Sequence, residues 1–89
     1  MFYYDNEIIK KIKKRLIPKQ IFRHINNVFI SLEKTKDFRL FDIKKIKGNK
    51  GRNYFRLRKG DYRAIFYVED DDLYIIALDK REEVYKKWL

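Results

Sequence analysis

The sequence predicts an α+β domain in which two helices pack on one face of a mainly antiparallel sheet. Apolar residues recur at helical spacing through residues 7–34, whereas residues 54–78 alternate in polarity or form short apolar runs between turn residues. These two patterns give the order β-α-α-β-β-β followed by a short C-terminal helix. A length of 89 residues suits a single domain over residues 1–89.

The N-terminal third predicts a short strand followed by a helical hairpin. The aromatic start MFYY favours a strand, and Asp5 or Asn6 can cap the first helix. Pro18 breaks the pattern and suits the first turn of the second helix. The apolar face of the first helix consists of Ile8, Ile9, Ile12 and Leu16. The apolar stripe of the second helix consists of Ile21, Phe22, Ile25, Val28, Phe29 and Leu32.

The C-terminal half predicts strands joined by short turns. The segment FRLFDIKKIKG forms a loop or a short strand, and the NKGR that follows it forms a turn. Residues 54–59 alternate, so Tyr54, Arg56 and Arg58 lie on one face of a strand, and Gly60 and Asp61 supply the next turn. The remaining elements are a central strand at residues 62–68, a turn at 70–72, a buried strand at 73–78 and a helical tail, EEVYKKWL.

Composition excludes several kinds of active site. The sequence has no cysteine, which excludes disulfides, zinc ribbons, thiol nucleophiles and iron–sulfur clusters. His24 is the sole histidine, so a histidine-rich metal cluster is excluded, and we expect this residue to be structural rather than a base. The longest apolar run, residues 73–78, is far shorter than the ~20 residues that span a bilayer, and no signal peptide is recognisable. We therefore expect a soluble cytoplasmic protein with no metal and no other cofactor.

Positive charge is concentrated in two stretches of the chain. The formal net charge is +10; residues 10–23 carry seven basic residues and no acid, and residues 39–63 carry a local charge of +8. This balance predicts an acidic partner: nucleic acid first, then an acidic protein, then an anionic membrane surface. A solvated Lys-rich surface is the simpler alternative. We interpret the lysines of the first helix as such a surface or as a secondary docking site.

Three arginines are expected to share the sheet face that the helices leave open. In matching register these are Arg56 and Arg58 from one strand and Arg63 from the next. Because like charges repel on a sheet and an unpaired buried charge is costly, the cluster favours a bound anion such as an RNA phosphate. The tyrosines expected to stack on bases are Tyr54, Tyr62 and Tyr67. The alternative is a set of surface ion pairs with Asp61, Asp79, Glu82 or Glu83.

From Asp42 onward the order and spacing of motifs resemble the RelE superfamily of toxin–antitoxin toxins. DIKKIKG is followed by YFRLRKGDYRAIFYVEDDDLYIIAL and then by DKREEVY. This run contains Arg-x-Arg, a Gly turn, Tyr-Arg, two core strands, a basic-Arg step and a closing Tyr. The first half of the chain agrees only as a strand plus a helical hairpin. The resemblance implies a RelE-like fold.

The resemblance also implies an activity and a partner. RelE-like toxins are metal-independent endoribonucleases, or mRNA interferases, that cut mRNA in the ribosomal A site and so inhibit translation. The 2′-hydroxyl of the messenger attacks the adjacent phosphate, leaving a 2′,3′-cyclic phosphate and a 5′-hydroxyl. An acidic RelB-like antitoxin is expected to wrap the toxin and neutralise it.

Site residues follow from the resemblance, position by position. The implied catalytic residues are Arg56, Arg63, Arg81 and Tyr85. The residues expected to bind RNA are Lys44, Lys45, Lys47, Arg52, Tyr54 and Arg58, of which Arg58 matches an arginine of the family just before the turn. Tyr54 and Arg56 stand where the family often has lysine, and arginine is a poor base because it keeps its proton. The general base is therefore left open between Tyr85, Tyr54, bound water and the ribosome.

Two other functions compete with the ribonuclease. ParE-like toxins resemble RelE in shape but poison DNA gyrase, and arginine in place of lysine at Arg56 keeps that function open. A noncatalytic module that binds nucleic acid would use the same arginines for phosphate alone. The retained Arg63, Arg81 and Tyr85 favour the ribonuclease.

Overall fold

The computed structural model describes residues 1–46 and 52–88 and confirms the α+β prediction. Lys47 and most of the predicted turn NKGR lie outside the described residues. The segment expected as a loop or short strand contains a short 3₁₀ turn and a strand, so the described sheet has five strands. The elements are β1 (Phe2–Tyr4), α1 (Asn6–Lys13), α2 (Lys19–Thr35), the 3₁₀ turn (Phe38–Leu40), β2 (Ile43–Ile46), β3 (Tyr54–Lys59), β4 (Tyr62–Glu69), β5 (Asp72–Lys80) and α3 (Arg81–Trp88).

The strands lie in the order β1-β5-β4-β3-β2, with β4 in the centre as predicted. All neighbouring pairs are antiparallel except β1 and β5, which run parallel. Both hairpin turns fall where turn residues predict them. Gly60 adopts a φ of 56°, and Asp70 and Asp71 adopt φ values of 51° and 68°, a left-handed conformation that aspartate tolerates better than most residues.

The hydrophobic core lies between α2 and the sheet face that we call the inner face. Phe29 of α2 meets Phe66 of β4 edge to face, with ring centroids 5.1 Å apart. Phe55 stacks on Phe66 from the neighbouring strand at 5.4 Å. Ile8 of α1 joins the same core, and α1 contacts β5. Neither α1, α2 nor α3, the helices within the described ranges, combines the length and apolar character needed to cross a membrane.

The first helix ends earlier than its apolar pattern predicts. Asp5 caps it, as expected, by accepting a hydrogen bond from the N–H of Glu7 at 3.3 Å. The helix stops at Lys13, and Arg15 adopts a φ of 60°. Because helical spacing no longer applies beyond that point, Leu16 is 63% exposed and its neighbour Ile17 is buried, with 1% exposed. The prediction that Leu16 belongs to the buried face is therefore wrong.

Urea unfolding can test whether Ile17, rather than Leu16, is the buried residue. We expect Ile17→Ala to reduce the free energy of unfolding by about 2–5 kcal/mol, since it leaves a cavity in a packed core. Leu16→Ala is the matched control and should change it by no more than about 0.5 kcal/mol, because the side chain already contacts water. Equal losses for the two variants would contradict the assigned burial.

Candidate active site

The sheet face away from α2, which we call the outer face, carries the arginines in two neighbouring rows. In the first row Arg58 pairs in register with Arg63, and Asp79 pairs with Arg63 from the other side. Asp42 extends this row beyond β3, since its carbonyl oxygen accepts the N–H of Arg58 at 3.0 Å. Arg56 lies in the second row, between Lys44 and Ile65. The expected arrangement of Arg56, Arg58 and Arg63 on one face is therefore present.

Arg63 is a buried positive charge. The residue is only 4% exposed. Its Nη1 donates to the carbonyl oxygens of Gly60 and Tyr62, at 2.7 Å and 2.9 Å, and its Nε has no partner. Among the described residues no carboxylate forms an ion pair with it. Since burying an unpaired charge is unfavourable by several kcal/mol, this geometry favours a bound anion.

Arg56 and Arg58 share one carboxylate, that of Asp42. Nη2 of Arg56 lies 3.2 Å from Oδ1, and Nε of Arg58 lies 3.4 Å from Oδ2. Nε of Arg56 is buried without a partner. In residues 1–46 and 52–88 the expected acidic partners Asp61, Asp79, Glu82 and Glu83 form no ion pair with these arginines, and Asp79 is instead held by Lys11 at 2.6 Å. One carboxylate shared by two guanidinium groups leaves this pair of arginines with one excess positive charge.

Helix α3 brings Arg81 and Tyr85 to the arginines. The N–H of Arg81 donates to the carbonyl oxygen of Asp61 at 2.7 Å, which fixes the start of the helix beside the β3–β4 turn. Arg81 and Tyr85 are four residues apart and lie on the same side of the helix. Val84 is buried, and Trp88 packs against Tyr54 with ring centroids 5.8 Å apart. The outer face is therefore partly covered by α3, and the expectation of a fully open face is wrong.

Tyr85 lies in the field of three arginines. The guanidinium of Arg63 next to its hydroxyl lowers the pKa of the phenol from its ordinary value. The positive charges of Arg63, Arg56 and Arg81 lower that pKa further because they stabilise the phenolate. Tyr85 is also 41% exposed, so a substrate can reach it. Of the two tyrosines considered as the base, Tyr85 has the electrostatic setting that the role requires.

The other expected RNA-binding residues are dispersed. Lys44 pairs with Arg56 on the outer face, whereas Lys45 pairs with Phe55 and so lies on the inner face. Arg52 lies near the opposite end of β3 from Arg58, where its guanidinium sits 4.4 Å from the ring centroid of Tyr67. Lys47 lies outside the described residues.

Aromatic residues form a row on the outer face that sequence reasoning only partly found. Tyr54, Tyr67, Tyr74 and Tyr3 follow one another across four strands. The rings of Tyr67 and Tyr74 stack at 5.0 Å, and those of Tyr74 and Tyr3 at 5.3 Å. Tyr62 was expected to stack on bases, but it is 8% exposed and lies in the core, so that prediction is wrong. Adjacent residues in a strand point to opposite faces of the sheet, so Tyr62 faces inward because Arg63 faces outward.

Sequence reasoning also missed Asp42 as the acidic partner of the cluster. A signal existed: assigning DIKKI as a strand antiparallel to β3 places Asp42 beside Arg58. Because the sequence allows either a loop or a short strand in this segment, it does not determine the pairing.

Two solved structures resemble this chain over most of its length. A chain of the archaeal RelE–RelB complex from Pyrococcus horikoshii OT3 is 28% identical with a TM-score of 0.72, and the match covers 90% of this chain and 92% of that chain. A chain of the RelB–RelE antitoxin–toxin complex from Methanococcus jannaschii is 25% identical with a TM-score of 0.73, and covers 97% and 98%. No protein-family model matches the sequence, and no curated protein matches it significantly. The chain therefore has a RelE-like fold.

A spectrophotometric titration of tyrosinate can test the setting of Tyr85. Neighbouring cations favour the anionic form, so Tyr85 should ionise at lower pH than an unperturbed tyrosine, and Tyr85→Phe should remove the earliest phase of the titration. Tyr74→Phe is the matched control, because the pKa of Tyr74 is raised by burial and the variant should lose only a late phase. An early phase that persists in Tyr85→Phe would show that the arginines do not act on this hydroxyl.

Proposed function

We propose that the protein is the toxin of a toxin–antitoxin system and a ribosome-dependent endoribonuclease that cleaves mRNA. The observation that carries the proposal is the position of Tyr85 beside Arg63, which is buried and has no acidic partner among the described residues; Arg63, Arg56 and Arg81 together lower the pKa of Tyr85. A RelE-like fold supports it, because both similar structures are RelE–RelB complexes.

The proposed reaction is attack of a ribose 2′-hydroxyl on the adjacent phosphate. The phenolate of Tyr85 takes the proton of the 2′-hydroxyl, whose oxygen then bonds to phosphorus. The bond from phosphorus to the 5′-oxygen breaks, and that oxygen takes up a proton from solvent. The products are a 2′,3′-cyclic phosphate and a 5′-hydroxyl.

The arginines stabilise the charge that develops during this attack. Arg63 is held in place by Gly60 and Tyr62, so its guanidinium needs no rearrangement when the phosphate gains negative charge. Arg56 and Arg81 add positive charge near Tyr85. Because arginine keeps its proton, these side chains act by charge and position, and the proposed reaction requires no metal.

Two features support a role for the ribosome in orienting the mRNA. The arginine cluster, on a sheet face beside a helix, supplies hydrogen-bond donors to the phosphate of the RNA. In-line attack also requires that the ribose is held in a fixed orientation, which the ribosome would provide. The net charge of +10 favours a partner rich in phosphate. Six basic side chains on and around α1 and α2 are exposed and suit a secondary docking surface: Lys10, Lys13, Lys14, Arg15, Lys19 and Arg23.

The proposed protein partner is an acidic RelB-like antitoxin. Both similar structures are complexes of RelE with RelB. An acidic chain would complement the charge of +10 and could occupy the arginine cluster in place of RNA. We place the activity in the cytoplasm, where ribosomes translate mRNA.

The direct test is an in vitro translation reaction with the purified protein, followed by primer extension on the mRNA. Cuts that appear only with ribosomes support the proposal. Blocked translation with intact mRNA would contradict it and favour a noncatalytic binding module. Plasmid cleavage by gyrase in the presence of the protein, with intact mRNA, would favour a ParE-like toxin instead.

Substitutions at Arg81 and Tyr85 should separate catalysis from binding. Arg81→Ala and Tyr85→Phe should each slow cleavage by roughly 10²–10⁴, the range for loss of a group that moves a proton or stabilises the transition state. The matched controls are Arg39→Ala, at an arginine that pairs only with Asp37 among the described residues, and Tyr3→Phe, at an exposed tyrosine near β5. Native rates in both site variants would refute the assigned site.

A further inference from the structure

Asp42 bridges two arginines of the site. Its Oδ1 lies 3.2 Å from Nη2 of Arg56, and its Oδ2 lies 3.4 Å from Nε of Arg58. Each carboxylate oxygen therefore faces a different guanidinium. An acid in this place either holds the arginines for the substrate or competes with the substrate for them.

The main chain fixes Asp42 although its side chain is half exposed. The carbonyl oxygen accepts the N–H of Arg58 at 3.0 Å, which extends the β2–β3 ladder by one residue. The next residue, Ile43, pairs with Leu57, a buried member of the core. Asp42 thus directly precedes β2, and its main chain is hydrogen-bonded to β3.

Arg56 depends on Asp42 for its orientation. Its side chain is 13% exposed, and its Nε is buried without a partner. In residues 1–46 and 52–88, Asp42 is the residue that accepts a hydrogen bond from this guanidinium. A long side chain with several rotatable bonds loses its preferred direction when its one anchor is removed. A guanidinium has five N–H donors, and the contact with Asp42 uses one of them, on Nη2.

Asp42 flanks the phosphate site without filling it. The unpaired buried charge is that of Arg63 on β4, and Asp42 lies two strands away, about 9.6 Å across the sheet. The acid at the other end of the row, Asp79, is held by Lys11. In residues 1–46 and 52–88, neither Asp42 nor Asp79 forms an ion pair with Arg63.

We propose that Asp42 is a positioning residue that holds Arg56 toward the scissile phosphate of a bound RNA. The proposal rests on the ribonuclease activity proposed above. It predicts opposite effects on turnover and binding. Asp42→Asn removes the charge and one of the two acceptor oxygens that hold Arg56 and Arg58, and should lower kcat by roughly 10–100-fold, the range for a displaced group in a site. The same variant removes a negative charge near RNA, so KM should stay unchanged or fall.

The experiment measures kcat and KM for cleavage of a short mRNA programmed on ribosomes, with the full-length protein. The variants are Asp42→Asn, Asp42→Glu, Arg56→Ala and the double variant Asp42→Asn with Arg56→Ala. The control is Asp71→Asn, which removes an exposed ion pair with Lys36 far from the arginines and should leave both constants unchanged. Thermal unfolding checks that each variant is folded, and Asp42→Ser replaces Asp42→Asn if the latter is not.

Three results support the proposal together. Asp42→Asn lowers kcat without raising KM, Asp42→Glu recovers part of the loss, and Asp42→Asn has no further effect once Arg56 is alanine. A higher kcat in Asp42→Asn would overturn the proposal and make Asp42 a competitor of the substrate. An equal loss of kcat in the Arg56→Ala background would overturn it as well, since Asp42 would then act independently of Arg56. Native cleavage with normal constants in Asp42→Asn rejects this inference alone, whereas a native protein that cuts no RNA rejects the ribonuclease and the inference with it.

Discussion

Arg63 donates two hydrogen bonds from Nη1 to the carbonyl oxygens of Gly60 and Tyr62, and the candidate site is built around this contact. The same turn supplies the carbonyl oxygen of Asp61, which accepts the N–H of Arg81 and fixes the start of α3. Once α3 starts there, Tyr85 comes within reach of Arg63. The main chain of residues 60–62 thus sets the positions of Arg63, Arg81 and Tyr85 relative to one another. The left-handed φ of Gly60 allows the tight turn that this requires.

The two faces of the sheet divide stability from chemistry. The inner face gains its stability from packed aromatic rings, chiefly Phe29 and Phe66. The outer face carries like charges side by side and a buried arginine without an acidic partner among the described residues, which is unfavourable for folding. Asp42 offsets part of that cost at one edge. An anion bound beside Arg63 would offset more, and the stability of the protein would then depend on ligand.

The sequence predicted this arrangement correctly where apolar and polar residues repeat at one regular spacing through a whole helix or strand. Alternation in β3 placed Arg56 and Arg58 on one face correctly, because a strand repeats every two residues. Placing Arg63 on the outer face requires its neighbour Tyr62 to point into the core, so the prediction that Tyr62 stacks on bases conflicted with the period of the strand itself. A left-handed residue at Arg15 ended α1 early and exposed Leu16, which no periodicity could reveal. The docking of α3 onto the outer face is a tertiary contact, and Tyr85 gained its place in the site through it.

The most direct test of the proposed chemistry is cleavage of an mRNA that carries a single 2′-deoxy nucleotide at a position that the protein cuts on ribosomes. If a 2′-hydroxyl is the nucleophile, cutting should stop at that position alone, and neighbouring sites should be cut as before. The unmodified mRNA should yield ends with a 2′,3′-cyclic phosphate and a 5′-hydroxyl. Continued cutting at the deoxy position would contradict the reaction assigned to Tyr85 and the arginines.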